Sequence, residues 1–300
     1  MKKNYTYLFI ALLIIYIILG FTLPSDPTVL AKHELTQTSA RLLNLTIVVP
    51  ISIIYLVALY GYIRFDDYSR AIRKTKEGPH YANISNGLCI LALSLPLGAL
   101  MNSLVAYFKF QYVDLYPIGL VGQTYINLAL LLSGIIMAAK GAEGLYGTVS
   151  KNTRLKLTHT SIITIILFSS MYIWLVTSQS PEASSEYVFL IPEWLVVFTL
   201  AVPYLFAWTL GGKTTYLLYK YKQKVRGKIF KSSFDSLYKG FGLVIVISIT
   251  VRLLITLSAQ FNRLNLTPLL AFIYVLVFMY AVGYGLLARG ARKLKRIEEA

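Results

Sequence analysis

The sequence predicts an all-α, polytopic membrane protein with eight transmembrane helices arranged as two parallel four-helix repeats. Three observations lead there. Of 300 residues, 56% are hydrophobic and only 14% charged, whereas about a quarter of a soluble domain is charged. The apolar residues come in runs of about 20, the length a helix needs to cross a bilayer and too long for the alternating strands of a β-barrel. The basic residues gather between alternate runs, as the positive-inside rule requires.

In chain order the runs are Tyr5 to Leu23, Leu42 to Ile63, Asn83 to Phe108, Gly119 to Ala139, Thr158 to Thr177, Val188 to Gly211, Phe241 to Gln260 and Thr267 to Ala288. Each must be helical, because lipid offers the backbone no hydrogen-bond partner. With the N-terminus inside, the inner segments carry 24 Lys and Arg, and the outer loops carry only Lys32, Arg41, Lys109 and Arg263. The expected topology is a multi-pass protein of the cell membrane with both termini cytoplasmic. The first run follows Lys2 and Lys3, and Val29-Leu30-Ala31 resembles a cleavage site, but the run is longer than a signal peptide's apolar region and reads as a retained span.

Compared with itself at an offset of 153, the chain places Thr46, Val49 and Pro50 on Thr199, Val202 and Pro203, and Tyr68, Arg73 and Gly87 on Tyr221, Arg226 and Gly240. The whole of 1–300 reads as one membrane domain, with residues 1–145 and 155–300 as its two repeats. Four helices per half is an even number, so the halves share one orientation, related by an axis along the membrane normal.

Arg252 lies in the middle of the seventh run, where a charge is costly and usually faces a partner or water. Glu193 is the expected partner: counting rise per residue puts it about 8 Å, and Arg252 about 12 Å, below the outer face. Asp114 is a second choice. The repeat places Ala99 opposite Arg252, and Asn102 and Ser103 follow on the same helix as Pro96. Asn102 needs an interhelical partner at that depth. Asn44, Gln123 and Asn127 add scattered polarity.

Between Lys213 and Lys239, Leu218, Tyr221, Val225 and Ile229 recur at helical spacing, with Lys220, Lys224, Lys228 and Lys231 on the opposite side. That pattern predicts a basic amphipathic helix continuing the sixth span and lying against the anionic inner leaflet. Val282-Gly283-Tyr284-Gly285 matches part of a potassium filter, but Ala281 precedes it and only fifteen residues follow, leaving no room for a filter's inner helix. Ala281 with Gly285 is expected to form a small-residue packing face, as are Gly134 and Ala138.

The single cysteine, Cys89, makes neither an internal disulfide nor a cysteine-based metal site. His33, His80 and His159 are not deep in any run, and no two share a helix face. Asp66 and Asp67 do not form a prenyltransferase's metal–diphosphate motifs, and no Walker A or Gly-rich dinucleotide loop is present. No catalytic residue, metal or cofactor is expected, and the chain reads as a non-enzyme. The net charge of +16 sits where a bilayer already explains it, so nucleic acid is not an expected partner. Two expectations remain. One is a transporter or permease-like protein with a path near the repeat interface, motivated by the parallel repeats, helices broken at Pro50, Pro96 and Pro203, and Arg252. The other is a non-catalytic membrane subunit or scaffold that binds anionic lipid, or a membrane or cytosolic protein, through its basic inner face.

Overall fold

The computed structural model describes residues 2–22, 36–111, 116–149, 193–261 and 266–299. They form helices α1 (Lys2–Thr22), α2 (Gln37–Ala71), α3 (Gly78–Gln111), α4 (Tyr116–Val149), α5 (Glu193–Lys224), α6 (Lys228–Phe261) and α7 (Leu266–Glu299), with no strand among the described residues. Seven of the eight expected runs overlap these helices. The fifth, Thr158 to Thr177, lies outside the described residues. Among the described residues, Asn4–Thr22, Gln37–Ala71, Gly78–Val105, Ile126–Thr148 and Tyr274–Lys295 are long and apolar enough to cross a membrane.

Helices α2 to α7 are each 32 to 35 residues long. At 1.5 Å per residue that is about 50 Å, well beyond a hydrocarbon core of roughly 30 Å. Among the described residues, the basic segments between the apolar runs are therefore mostly helix. The ends of α2, α4, α5 and α7 and the starts of α3 and α6 project together past the apolar segment. Proline does not interrupt them: α2 runs through Pro50 and α3 through Pro96, and Pro203 also falls inside a single helix. The expected breaks are absent because one lost i−4 bond is tolerated where neighbouring helices hold the rod together.

Helix α3 packs closely on α4, and α6 on α7; α2 lies against α7, α5 against α4, and α1 against α2 and α3. The two closest pairs share one set of contacts. A Cβ on Gly87 would meet Gly134 O at 2.6 Å and Ala138 N at 2.7 Å, and one on Gly240 would meet Gly283 O at 2.7 Å and Leu287 N at 2.8 Å. Gly141 faces His80 O and Ile84, while Gly290 faces Ser233 O and Leu237. Gly134 meets Leu91, and Gly283 meets Val244. Backbones approach this closely only where no side chain intervenes. Gly134 and Ala138 thus pack as expected. The face expected of Ala281 and Gly285 is not the one used: Gly285 has nothing within 4 Å, and the packing glycine is Gly283. Two residues along a helix turn about 200°, which puts Gly285 on the opposite side.

The apolar segment is also apolar on its outside. Val49, Ile53 and Leu56 on α2 and Val275, Phe278 and Val282 on α7 are all at least 40% exposed and recur at helical spacing. A belt of this kind suits lipid and would aggregate in water. Tyr5 of α1 packs on Tyr62, with ring centres 4.8 Å apart, and Lys295 of α7 lies 3.8 Å from Asp67. The start of α1 and the end of α7 are thus at the same, charged end of the bundle.

Candidate functional site: the charged head

Beyond the first charges of each helix the bundle continues as a head with its own core. On α2, Phe65 and Tyr68 stay in helical register with the apolar residues before them, so the buried stripe crosses the charges Arg64, Asp66 and Asp67 without a break. On α5, Leu217, Leu218 and Tyr221 do the same. Phe65, Tyr81, Tyr221 and Phe234 are essentially inaccessible to solvent. Tyr221 packs edge-on to Phe234 at 4.8 Å, Tyr68 edge-on to Tyr81 at 5.3 Å, and Tyr81 and Phe234 meet at 6.2 Å. Edge-to-face pairs of this kind add to the area they bury.

The buried phenols find partners. The Tyr221 hydroxyl donates to Glu77 Oε2 at 3.0 Å and lies 3.2 Å from the Tyr81 hydroxyl, leaving Tyr81 as the donor in that second bond. Burial raises the Tyr221 pKa far above that of a free phenol, so it acts as a neutral donor to the carboxylate. Asp66, mostly buried, accepts from Arg70 Nε at 2.8 Å and from Ser85 Oγ at 3.3 Å.

Salt bridges tie the helices together around this core. Lys213 on α5 is 3.1 Å from Glu143 on α4, and the Lys224 ammonium lies 4.7 Å above the Tyr146 ring. Both contacts advance in the same direction along the two chains, so α4 and α5 run parallel. Asp235 accepts from Lys222 and from Lys239, the latter at 2.8 Å, and these hydrogen bonds hold its pKa down at about 2. A depressed carboxylate contributes stability that is complete above its unfolded value of 3.8 and is lost as pH falls toward 2. Asp235→Asn is therefore expected to lower the melting temperature slightly at neutral pH and to flatten its dependence on pH below 4, measured by thermal unfolding in detergent. Unchanged acid sensitivity would mean that another carboxylate carries it.

Two turns close the head. Between α2 and α3, Thr75 N bonds to Ile72 O at 2.9 Å and Gly78 N to Thr75 O at 3.0 Å. Between α5 and α6, Gly227 takes φ +98, a left-handed conformation that glycine adopts without a Cβ clash, and Lys231 N bonds to Gly227 O. The expected single basic helix is thus divided. Lys220 and Lys224 belong to the end of α5, and Lys228 and Lys231 to the start of α6. Of its apolar stripe, Leu218 and Tyr221 are core, whereas Ile229 is 59% exposed. The positive φ at Gly227 folds the segment back on itself, so it stands upright in the head instead of lying flat.

Of the other expected site residues, only Ser103 has a described side chain. Ser103 Oγ donates to Ala99 O at 3.1 Å, so its hydroxyl is used within α3. The side chains of Arg252, Glu193 and Asn102 lie outside those described. The Arg252–Glu193 pairing remains an expectation with a direct check. Arg252→Leu and Glu193→Leu should each lower stability by about 3–5 kcal/mol, and the double variant should recover most of the loss. Losses that simply add would separate the two residues. The aromatic head core was missed because each span was ended at its first charge, although the helical spacing of Phe65 and Tyr68 carried the signal. No family model, curated protein or solved structure matches this chain.

Proposed function

We propose that the protein is a non-catalytic membrane subunit or scaffold: a duplicated helical bundle that carries a rigid basic head on the cytoplasmic face. The observation that carries this reading is the head itself, continuous helices locked around Phe65, Tyr81, Tyr221 and Phe234. Such a core holds a surface in fixed geometry, as a docking platform needs. One interior cavity among the described residues supports it as well. The cavity between α2, α3, α6 and α7, lined by Tyr62, Leu88, Leu91, Phe241, Val244 and Tyr284, has a volume of about 10 Å³, close to the room one water needs. The matched glycine contacts of the α3–α4 and α6–α7 pairs support an internal duplication. Eight spans fit the parallel course of α4 and α5, since residues 150–192 must then carry the chain from one end of the bundle to the other. The 24-to-4 distribution of basic residues supports a cytoplasmic head.

The transporter reading keeps one observation in its favour: Leu88 and Leu91 face Phe241 and Val244 across that cavity, at positions related by the repeat. The two readings differ in motion. Spin labels at Thr75→Cys and Ile229→Cys, with Cys89 replaced, sit on the turns of the two halves. In vesicles a platform gives one narrow distance distribution, whereas halves that rock give two. A bimodal distribution would sink the scaffold reading.

Orientation is checked separately. With Cys89 replaced, Thr38→Cys, at the far end, should react in intact cells with an impermeant thiol reagent, and Thr75→Cys should not. Labelling at Thr75 would invert the topology.

A further inference from the structure

We propose that the two turns at the tip of the head together form a docking surface for an acidic, extended segment of a cytosolic protein, a proposal that rests on the platform reading. Arg73, Lys74 and Lys76 are exposed around the first turn, and Arg226, Lys228 and Lys231 around the second. The core holds the turns side by side. Phe230, just past the second turn, packs edge-on to Tyr68, just before the first, and Tyr221, just before the second, bonds to Glu77, at the end of the first. Six cations from two distant parts of the chain thus form one patch.

Of the described carboxylates near the patch, three are paired with other cations, and Glu77 keeps its charge at the end of the first turn. Glu77 receives the Tyr221 hydrogen bond, Asp66 pairs with Arg70, Asp67 with Lys295, and Asp235 with Lys222 and Lys239. Among the described residues none of the six cations has an acidic partner. Charges this close act together even at physiological salt, where screening sets in over about 8 Å.

The geometry selects the kind of anion. From Arg64 on α2 to the turn is about 12 Å, and from Lys213 on α5 about 17 Å, at 1.5 Å per residue. A headgroup layer is roughly 5–8 Å thick. The patch therefore stands beyond the lipid surface on which the protein sits. Its side chains are exposed, so a single phosphate would be held weakly and a chain of several carboxylates more firmly. Single-stranded nucleic acid needs exposed rings on which to stack, and Tyr68, Tyr81 and Phe234 are buried.

The test uses the full chain in phosphatidylcholine nanodiscs and a fluorescent poly-glutamate peptide as probe. Replacing all six cations with Gln should weaken binding about tenfold or more, and either turn alone about threefold. Lys140→Gln with Arg289→Gln, exposed cations nearer the apolar segment, should leave it unchanged. Binding by the unaltered protein should also fall steadily as salt rises. The proposal is overturned if the six-site variant binds as well as the parent, or if the Lys140 and Arg289 pair costs as much. It is overturned in favour of lipid if phosphatidylserine vesicles added to the nanodiscs are captured through the six cations and the peptide is not. It is overturned in favour of nucleic acid if an oligodeoxynucleotide of equal charge binds more tightly than the peptide at the same six positions. A single spin-label distance in the six-site variant would leave the platform standing while the partner assignment fell.

Discussion

Gly87→Val is expected to be among the most damaging single substitutions in the protein. Its new Cβ would sit 2.6 Å from Gly134 O and 2.7 Å from Ala138 N. Both are backbone atoms, so no rotamer change relieves the clash and α3 and α4 must move apart. Overpacking a close contact costs about 1–3 kcal/mol, and a branched side chain against backbone belongs at or above the top of that range. Gly240→Val should cost a similar amount, since Gly283 O and Leu287 N stand at 2.7 and 2.8 Å. The controls lie on the same helices or in the same bundle: Gly147, Gly212 and Gly285 have nothing within 4 Å. Alanine at those positions gains up to about 1 kcal/mol of helix propensity and should be neutral or stabilising. Melting temperatures in detergent separate the two groups. If Gly87→Val melts like Gly147→Ala, the close approach of α3 and α4 is not as described.

Phe234→Ala should unlock the head. The ring is fully buried, 4.8 Å from Tyr221, 5.9 Å from Phe230 and 6.2 Å from Tyr81. Removing a buried aromatic ring costs about 3–5 kcal/mol, through lost transfer energy and the cavity left behind. Tyr221→Phe removes less, the hydrogen bond to Glu77 and a partner for Tyr81, and should cost about 1–3 kcal/mol. The expected signature is local. Trypsin should cut faster at Arg73, Lys74, Arg226 and Lys228 on either side of the two turns, while helix content measured by circular dichroism stays nearly constant. Cleavage at parental rates in Phe234→Ala would show that this ring does not hold the head.

Those two substitutions probe features of unequal legibility. The glycine contacts were half-visible. Gly87 and Gly240 stood out at an offset of 153, and Gly134 with Ala138 showed the small residues a close crossing requires. The matching glycines on α7 are Gly283 and Gly290, seven residues apart as Gly134 and Gly141 are on α4. The offset there is 149 instead of 153, because Gly283 follows Gly240 by 43 residues whereas Gly134 follows Gly87 by 47. A comparison at one fixed offset passes over them. The head was hidden for a different reason. Hydropathy reports where an apolar run ends, at Arg64 and at Lys213; it does not report where helix ends. Tyr68, Tyr81 and Tyr221 are amphipathic residues that contribute little to a hydropathy sum, yet they fill the head's core. Lys220, Lys224, Lys228 and Lys231 lie on one side of an ideal helical wheel. One glycine at positive φ divides that wheel in two, and a wheel cannot display such a break.

The division of the bundle into an apolar segment and a head has a thermodynamic corollary. Between helices in lipid there is no hydrophobic driving force, since the tails are as apolar as the side chains they replace. With the head outside the bilayer, as proposed, its aromatic core assembles by releasing hydration, with the heat-capacity change that accompanies it. The molecule therefore has two parts, one stabilised by dispersion and one by water. Calorimetric heat capacity of unfolding should be small for a chain of 300 residues and should arise mainly from the tips of α2 to α7. Urea, cooling and pressure, which act through hydration, should loosen those tips while the segment below them stays intact.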